Sequence, residues 1–300
     1  MQPYKIQASI FYAIGMMTIL MLLSGSAKVE AQDKLNGKVQ SMTETKFVTY
    51  DELKKKNSKT TVFNHNGNVL IEKRYHPDGS LNSKDIYQYD ANGLPFKGYY
   101  SDQKTYAVSE YNKEGKLVEE KYYNAYNNSL LNTSKHRYNE EGNKVEVNYY
   151  NSSNDLDFKL NYEYDKKGNK IEVKSFNMNK PVSNKVMAFK YDQNGNLLEE
   201  SQHNSKKGLD WKIVYLYDKQ SNKIQRKFYN RHNALESNRF LFYNKNRYLT
   251  GWNEYDTDGN LIYQTTFKYD KKGNWIEKTE VMTSLYNPPK YLYVREIKYN

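Results

Sequence analysis

Residues 160–174 read Leu160-Asn161-Tyr162-Glu163-Tyr164-Asp165-Lys166-Lys167-Gly168-Asn169-Lys170-Ile171-Glu172-Val173-Lys174. On both sides of the central Asp165-Lys166-Lys167-Gly168, every second residue is apolar or aromatic and those between are polar or charged. That is the period of a half-buried strand. The centre is turn chemistry: Asp at the first position of a type I turn accepts a hydrogen bond from the backbone two residues on, and Gly at the fourth takes the left-handed conformation without steric cost. Two strands joined by a three-residue loop with a glycine bulge make a β-hairpin.

The same unit recurs along the chain. Its aromatic, then Asp or Asn, then two polar residues and usually Gly, reads Phe63-Asn64, Tyr89-Asp90, Tyr111-Asn112, Tyr138-Asn139, Tyr164-Asp165, Tyr191-Asp192, Tyr217-Asp218, Tyr243-Asn244 and Tyr269-Asp270. Successive aromatics lie 26, 22, 27, 26, 27, 26, 26 and 26 residues apart. A second ring residue followed by Asn or Asp stands 12 positions after the first in most units, as at Tyr123, Tyr150, Phe176, His203, Tyr229 and Tyr255, so each unit holds two turns and two strands. Seven positions after the first aromatic comes an apolar residue: Leu70, Phe96, Val118, Val145, Ile171, Leu198, Ile224 and Ile276. These are expected to form one ladder across the sheet, with neighbouring rings stacking across strands.

The fold class expected is therefore all-β: tandem β-hairpin repeats of about 26 residues forming one long antiparallel curled sheet over residues 61–300. About 18 strands at about 4.8 Å would span roughly 86 Å if flat, and twist should curl such a sheet into a spiral, open barrel or sandwich. Residues 32–60 are expected to cap the first strand, as repeat arrays require.

Residues 1–31 have the layout of a secretory signal peptide: basic Lys5, an apolar run from Ile10 to Leu23, and a small-residue stretch ending at Ala31. An uncleaved anchor is the lesser alternative, because the run is shorter than the roughly 20 residues a spanning helix needs. No later segment could span a membrane as a helix, so the mature protein is expected to be secreted, in the periplasm or outside the cell. The chain has no cysteine, which excludes a lipid-modified Cys, disulfides and thiolate metal sites. It is basic, with a formal net charge of +11, and its 31 Tyr against 11 Phe leave a conventional apolar core underfilled.

The Tyr-Asp-x-x-Gly-Asn runs through residues 63–300 resemble the YD repeats of the RHS family. The resemblance implies a long curled sheet, which in large members wraps a toxin domain. Here the period is longer than the family's, and the Arg that follows the turn glycine there is replaced by Asn, Lys or Leu.

Little in the chain advertises chemistry. No Ser-His-Asp set, phosphate loop, HExxH helix or paired carboxylate is recognisable, and the recurring Asp residues are used by turns. The five histidines are expected to be structural, and Asp256-Thr257-Asp258-Gly259-Asn260, though it resembles the start of a calcium loop, is expected to be one more turn. No enzyme activity, cofactor or metal is expected. Trp211 shares parity with Ile213 and Tyr215 and belongs to the core. Trp275 stands one position before Ile276, where other units carry Lys144, Lys170 or Lys223, so it is expected on the charged outer face, where an exposed Trp suits stacking on a sugar ring. Trp275, Lys170 and Lys223 are thus the candidate ligand-binding residues.

The function expected is a non-enzymatic exported protein whose sheet is a binding or scaffold surface at the bacterial envelope, for envelope polysaccharide or another protein, with no nucleic-acid partner. The alternative is a shortened RHS-type toxin shell or a toxin-associated accessory protein.

Overall fold

The computed structural model describes residues 35–49, 53–206, 208–283 and 289–300. The expected signal peptide lies outside the described residues. Twenty strands follow one another: β1 (Val39–Thr49), β2 (Leu53–Phe63), β3 (Val69–Tyr75), β4 (Leu81–Tyr89), β5 (Pro95–Tyr100), β6 (Thr105–Tyr111), β7 (Leu117–Asn124), β8 (Leu130–Tyr138), β9 (Lys144–Asn151) and β10 (Leu156–Tyr164). The second half continues as β11 (Lys170–Asn177), β12 (Lys185–Tyr191), β13 (Leu197–Asn204), β14 (Leu209–Tyr217), β15 (Lys223–Tyr229), β16 (Leu235–Tyr243), β17 (Leu249–Tyr255), β18 (Leu261–Tyr269), β19 (Trp275–Val281) and β20 (Lys290–Tyr299). A single 3₁₀ turn, Pro181–Ser183, interrupts the described meander.

Each strand pairs antiparallel with the next, and β20 pairs with β1 from Val39↔Tyr299 to Thr49↔Lys290. The sheet is therefore a closed up-and-down barrel and not the open curled sheet expected from the repeat. An even number of meandering strands brings the first and last into antiparallel register, and closure removes both unpaired edges. Of residues 32–60, expected to cap the first strand, 39–49 form β1 and 53–60 belong to β2, and both strands pair with their neighbours in the wall.

The repeated turns have the expected chemistry. At the β10–β11 turn, Asp165 Oδ1 accepts hydrogen bonds from the Lys167 and Asn169 backbone N–H at 2.9 Å, and Gly168 sits at φ +80°. The Asn169 side-chain amide donates to the other carboxylate oxygen at 2.9 Å, so the motif's final Asn belongs to the same network.

The strand register shifts just after these turns. Tyr164 pairs with Lys170 while Glu163 pairs with Glu172, leaving Ile171 without an opposite residue. The same skip falls on Leu70, Phe96, Val118, Val145, Leu198, Ile224 and Ile276. The eight apolar residues expected to form one ladder across the sheet are thus β-bulge residues at one rim, and none is buried. The bulge also explains the choice of Tyr over Phe. Tyr164 Oη donates to the Lys144 carbonyl at 2.8 Å, and Tyr191, Tyr217 and Tyr269 do the same to Lys170, Leu197 and Leu249, tying consecutive turns of that rim together.

Buried and exposed side chains separate by parity. Val147, Leu160, Val173, Met187 and Ile213 lie on the enclosed inner face, and Lys135, Arg137, Glu163, Lys190, Lys268 and Glu296 lie exposed on the outer one.

Candidate functional site

The bulge decides where the three candidate residues point. An extra residue in one strand reverses the parity of what precedes it, so Trp275, paired with Tyr269, turns to the inner face instead of the charged outer one. Its side chain is buried, the residue being 4 % exposed, with its ring edge-on to Phe267 at 6.0 Å and the Arg295 guanidinium stacked 3.3 Å above it. No face of Trp275 is open to a sugar. Lys170 and Lys223 turn inward by the same device: the Lys170 ammonium lies 5.2 Å from the Phe189 ring centroid, and that of Lys223 lies 4.0 Å from Tyr215. Burial pulls the Lys170 pKa down, only partly offset by the charge of Glu200. The structure therefore does not bring the three together as an outer site; each is a wall residue beside an aromatic of an adjacent strand. Trp211 is half-buried on the inner face, as parity required.

What the inner face does bring together was not legible in the repeat. A belt of charged and polar side chains lines the inner face of β1, β3, β4, β16, β17, β19 and β20. Arg74 bridges Glu72 at 3.1 Å and Asp85 at 2.7 Å, Arg239 pairs with Glu254 at 2.7 Å, Lys278 with Glu280 at 2.8 Å, and Arg295 with Glu44 at 2.8 Å across the β1–β20 seam. Glu200, 2 % exposed, accepts a hydrogen bond from Tyr215 Oη at 2.5 Å. Burial alone would push the Glu254 carboxyl up, but the Arg239 charge and hydrogen bonds from Ser237 and Arg239 outweigh it and hold the group below the usual range. Beside the belt stands a tyrosine row: Tyr87 meets Tyr100 edge-on at 6.1 Å, and Tyr100 stacks on Tyr122 at 6.4 Å. Burial, with the nearby Glu120 charge, pushes the Tyr100 and Tyr149 hydroxyls up to about 12, so they stay protonated and can donate. The signal was available in the strand alternation, since Glu254 and Arg239 share parity with Trp252 and Leu241, but it needs the partner strand to be read as pairing.

Among the described residues two Ser–His contacts occur, Ser134 Oγ with His136 Nε2 at 3.0 Å and Ser201 Oγ with His203 Nε2 at 3.1 Å. Burial, then the Lys144 charge, lowers the His136 pKa to about 4, and its Nδ1 is buried without a partner among the described residues. A weak base with no acid to orient it is a poor activator of a serine. Among the described residues no group of His, Asp and Glu could hold a metal ion, and the Asp256 carboxylate is taken up by Asp258 and Asn260.

No family model matches this chain. No curated protein matches it either. Among solved structures, it is similar to a chain in the crystal structure of TcdB2-TccC3-Cdc42, at 12% identity and a TM-score of 0.37, over 77% of this chain and only 14% of that one. It is similar to a porin-like protein from Bacteroides uniformis at 10% identity and a TM-score of 0.42, covering 88% and 99%, and to a putative outer membrane lipoprotein-sorting protein domain from Vibrio parahaemolyticus at 10% and 0.23, covering 93% and 92%. Likenesses this distant carry no argument about function.

Proposed function

We propose that this chain is an exported, non-enzymatic protein of the bacterial envelope, and that its barrel holds a hydroxyl-rich polymer, an envelope glycan, against its inner wall. The observation that carries the reading is the closed ring of 20 strands whose interior sets tyrosines and charged pairs among apolar side chains. Eight strands already give an interior that side chains fill, and at about 16 to 18 strands barrels hold water. Twenty strands spaced about 4.8 Å and tilted about 36–40° make a round ring roughly 40 Å across, or roughly 28 Å between inner side chains. A folded domain of about 100 residues has a radius of gyration of about 13 Å and a diameter near 34 Å. An extended chain fits such a bore and a packaged toxin does not, which ranks the glycan reading above the RHS-type shell. The outer wall argues against lipid contact: a membrane barrel needs an apolar outward band about 25 Å tall, whereas here Lys135, Arg137, Glu163, Lys190 and Lys268 face outward from successive parts of the wall.

The test is retention of fractionated cell envelope by the purified protein, first at low salt and then at about 0.5 M, where exposed charge pairs are screened within a few Å. Glycan that survives the salt wash and is lost with Tyr122→Ala and Tyr149→Ala supports the reading. Retention of a folded protein partner, or of material released by salt alone, rejects it.

A further inference from the structure

On the outer wall, a cleft of about 480 Å³ opens where the β5–β6 turn and the β7–β8 turn project beside β4. Its size falls within the range of about 300–1,000 Å³ common to small-molecule sites. Lys84 and Ile86 of β4, Tyr99 of β5, and Lys104 and Tyr126 of the two turns line it, with Ser101 at its edge and no carboxylate among the lining residues.

The cleft is a constructed feature. The Ala125 N–H donates to the Lys104 carbonyl at 2.9 Å, joining the two turns, and the Lys84 N–H donates to Ser101 Oγ at 2.5 Å. Lys104 adopts φ +53°, a left-handed conformation that most hairpins of this chain assign to Gly or Asn. Its ammonium group consequently lies 5.5 Å from the Tyr126 ring centroid. Neither Lys84 nor Lys104 is in an ion pair among the described residues. Tyr126 is 74% exposed, the most open aromatic among the large exposed hydrophobic residues of the wall.

We propose that this cleft binds one acidic sugar residue, the ring lying on Tyr126 and its carboxylate or sulfate between Lys84 and Lys104. Aromatic faces pack against the apolar face of a sugar ring, and two ammonium groups that enter no ion pair among the described residues, in a cleft whose lining holds no carboxylate, select an anion over a cation. The geometry disfavours single-stranded nucleic acid, which needs a run of stacking platforms along a basic groove. Tyr99 already leans on Tyr106 at 5.8 Å and Tyr106 stacks on Tyr123 at 5.1 Å, so these rings are taken up by one another and Tyr126 is left as the exposed platform. The cleft opens on the outer wall, although Tyr100 and Thr105, which belong to the inner face, also form part of its lining.

Isothermal titration of the full protein with a hexasaccharide of alternating glucuronic acid and N-acetylglucosamine, and with its carboxyl-reduced neutral form, tests the proposal. The acidic form should bind more tightly, and Tyr126→Ala or the Lys84→Met/Lys104→Met pair should raise its Kd about tenfold or more, with Lys268→Met on β18, exposed on the outer wall outside the cleft, leaving it unchanged. Tyr126 and Lys104 are exposed turn positions and Lys84 is a half-exposed position of β4, so the far-ultraviolet circular dichroism of the variants should be unaltered. Absence of binding, equal binding of the neutral form, unchanged affinity in folded Tyr126→Ala protein, an equal loss on Lys268→Met, or tighter cleft-dependent binding of a thymidine hexanucleotide would each overturn it.

Discussion

Closure of the barrel can be tested by a single covalent bond. Thr43 on β1 and Glu296 on β20 are opposite residues of the seam, on the outer face, in a chain without native cysteine. Opposed residues in antiparallel strands have Cα atoms about 4.5 or 5.5 Å apart, inside the window of about 4.4–6.8 Å that a disulfide tolerates. Thr43→Cys/Glu296→Cys should therefore oxidise within one molecule. The two strands are 251 residues apart in the chain at the neighbouring Glu44–Arg295 pair. For a loop that long the chain-entropy relation puts a ceiling of about 5.5 kcal/mol on the stabilisation, and native-like disulfides deliver about 2–4 kcal/mol. At about 2–4 °C per kcal/mol for a protein of this size, the oxidised form should melt roughly 5–15 °C above its reduced form. Thiol titration, non-reducing electrophoresis and paired melting curves with and without reductant read the outcome. Free thiols that persist under oxidising conditions, or covalent dimers in place of a cross-linked monomer, would refute closure, because an open sheet has no reason to place these two positions within a bond's reach.

Three further outcomes follow from the wall. Arg295→Met should destabilise by about 3 kcal/mol in denaturant midpoint measurements, the low end for removing one partner of a buried pair because Glu44 is partly exposed, while Lys174→Met at the exposed Lys174–Glu163 pair should cost less than about 1 kcal/mol; equal effects would refute a buried seam pair. Gly251→Ala would drive a Cβ into the Thr265 backbone on β18, which cannot yield, and should cost about 1–3 kcal/mol or more; a neutral result in the same assay would contradict the register there. The Asn169, Asn196, Asn222 and Asn260 side-chain amides, together with backbone N–H groups, hold the turn carboxyls of Asp165, Asp192, Asp218 and Asp256 below the ordinary 3.8. Because folded-state values are depressed, their stabilisation is present above about pH 4 and is lost as pH falls through the folded values, so the fourfold Asp→Asn variant should show a shallower acid limb in stability against pH; an unchanged slope would refute the turn assignment.

Much of this could be read from residue order. The spacing of Tyr164, Tyr191 and Tyr217, the alternation of Leu160-Asn161-Tyr162-Glu163 and the Asp-x-x-Gly turns are interactions between near neighbours in the chain, so strands, hairpins and turns appear where the repeat places them. Trp275 shows where such reading stops. Alternation counted from Ile276 points it outward, but Ile276 is the bulge residue, and the parity of a strand can be counted only once its pairing is known. Ile171 and Ile224 misled for the same reason, since an apolar residue at constant spacing marked a recurring irregularity and not a core. The inner belt was hidden because Glu254 reads as one more charged strand residue until Arg239, 15 positions away, is set opposite it.

All-β class, hairpin connectivity, a period of about 26 residues and turn type are properties of the amino-acid order itself, because each is closed by hydrogen bonds and side-chain patterns spanning a few residues. Whether the sheet stays open or meets itself, which side Lys170, Lys223 and Trp275 take, and which buried charges find partners belong to the folded whole. Those outcomes depend on twist and bulges summed over 20 strands and on contacts between residues as distant as Glu44 and Arg295, for which no local pattern carries a signal.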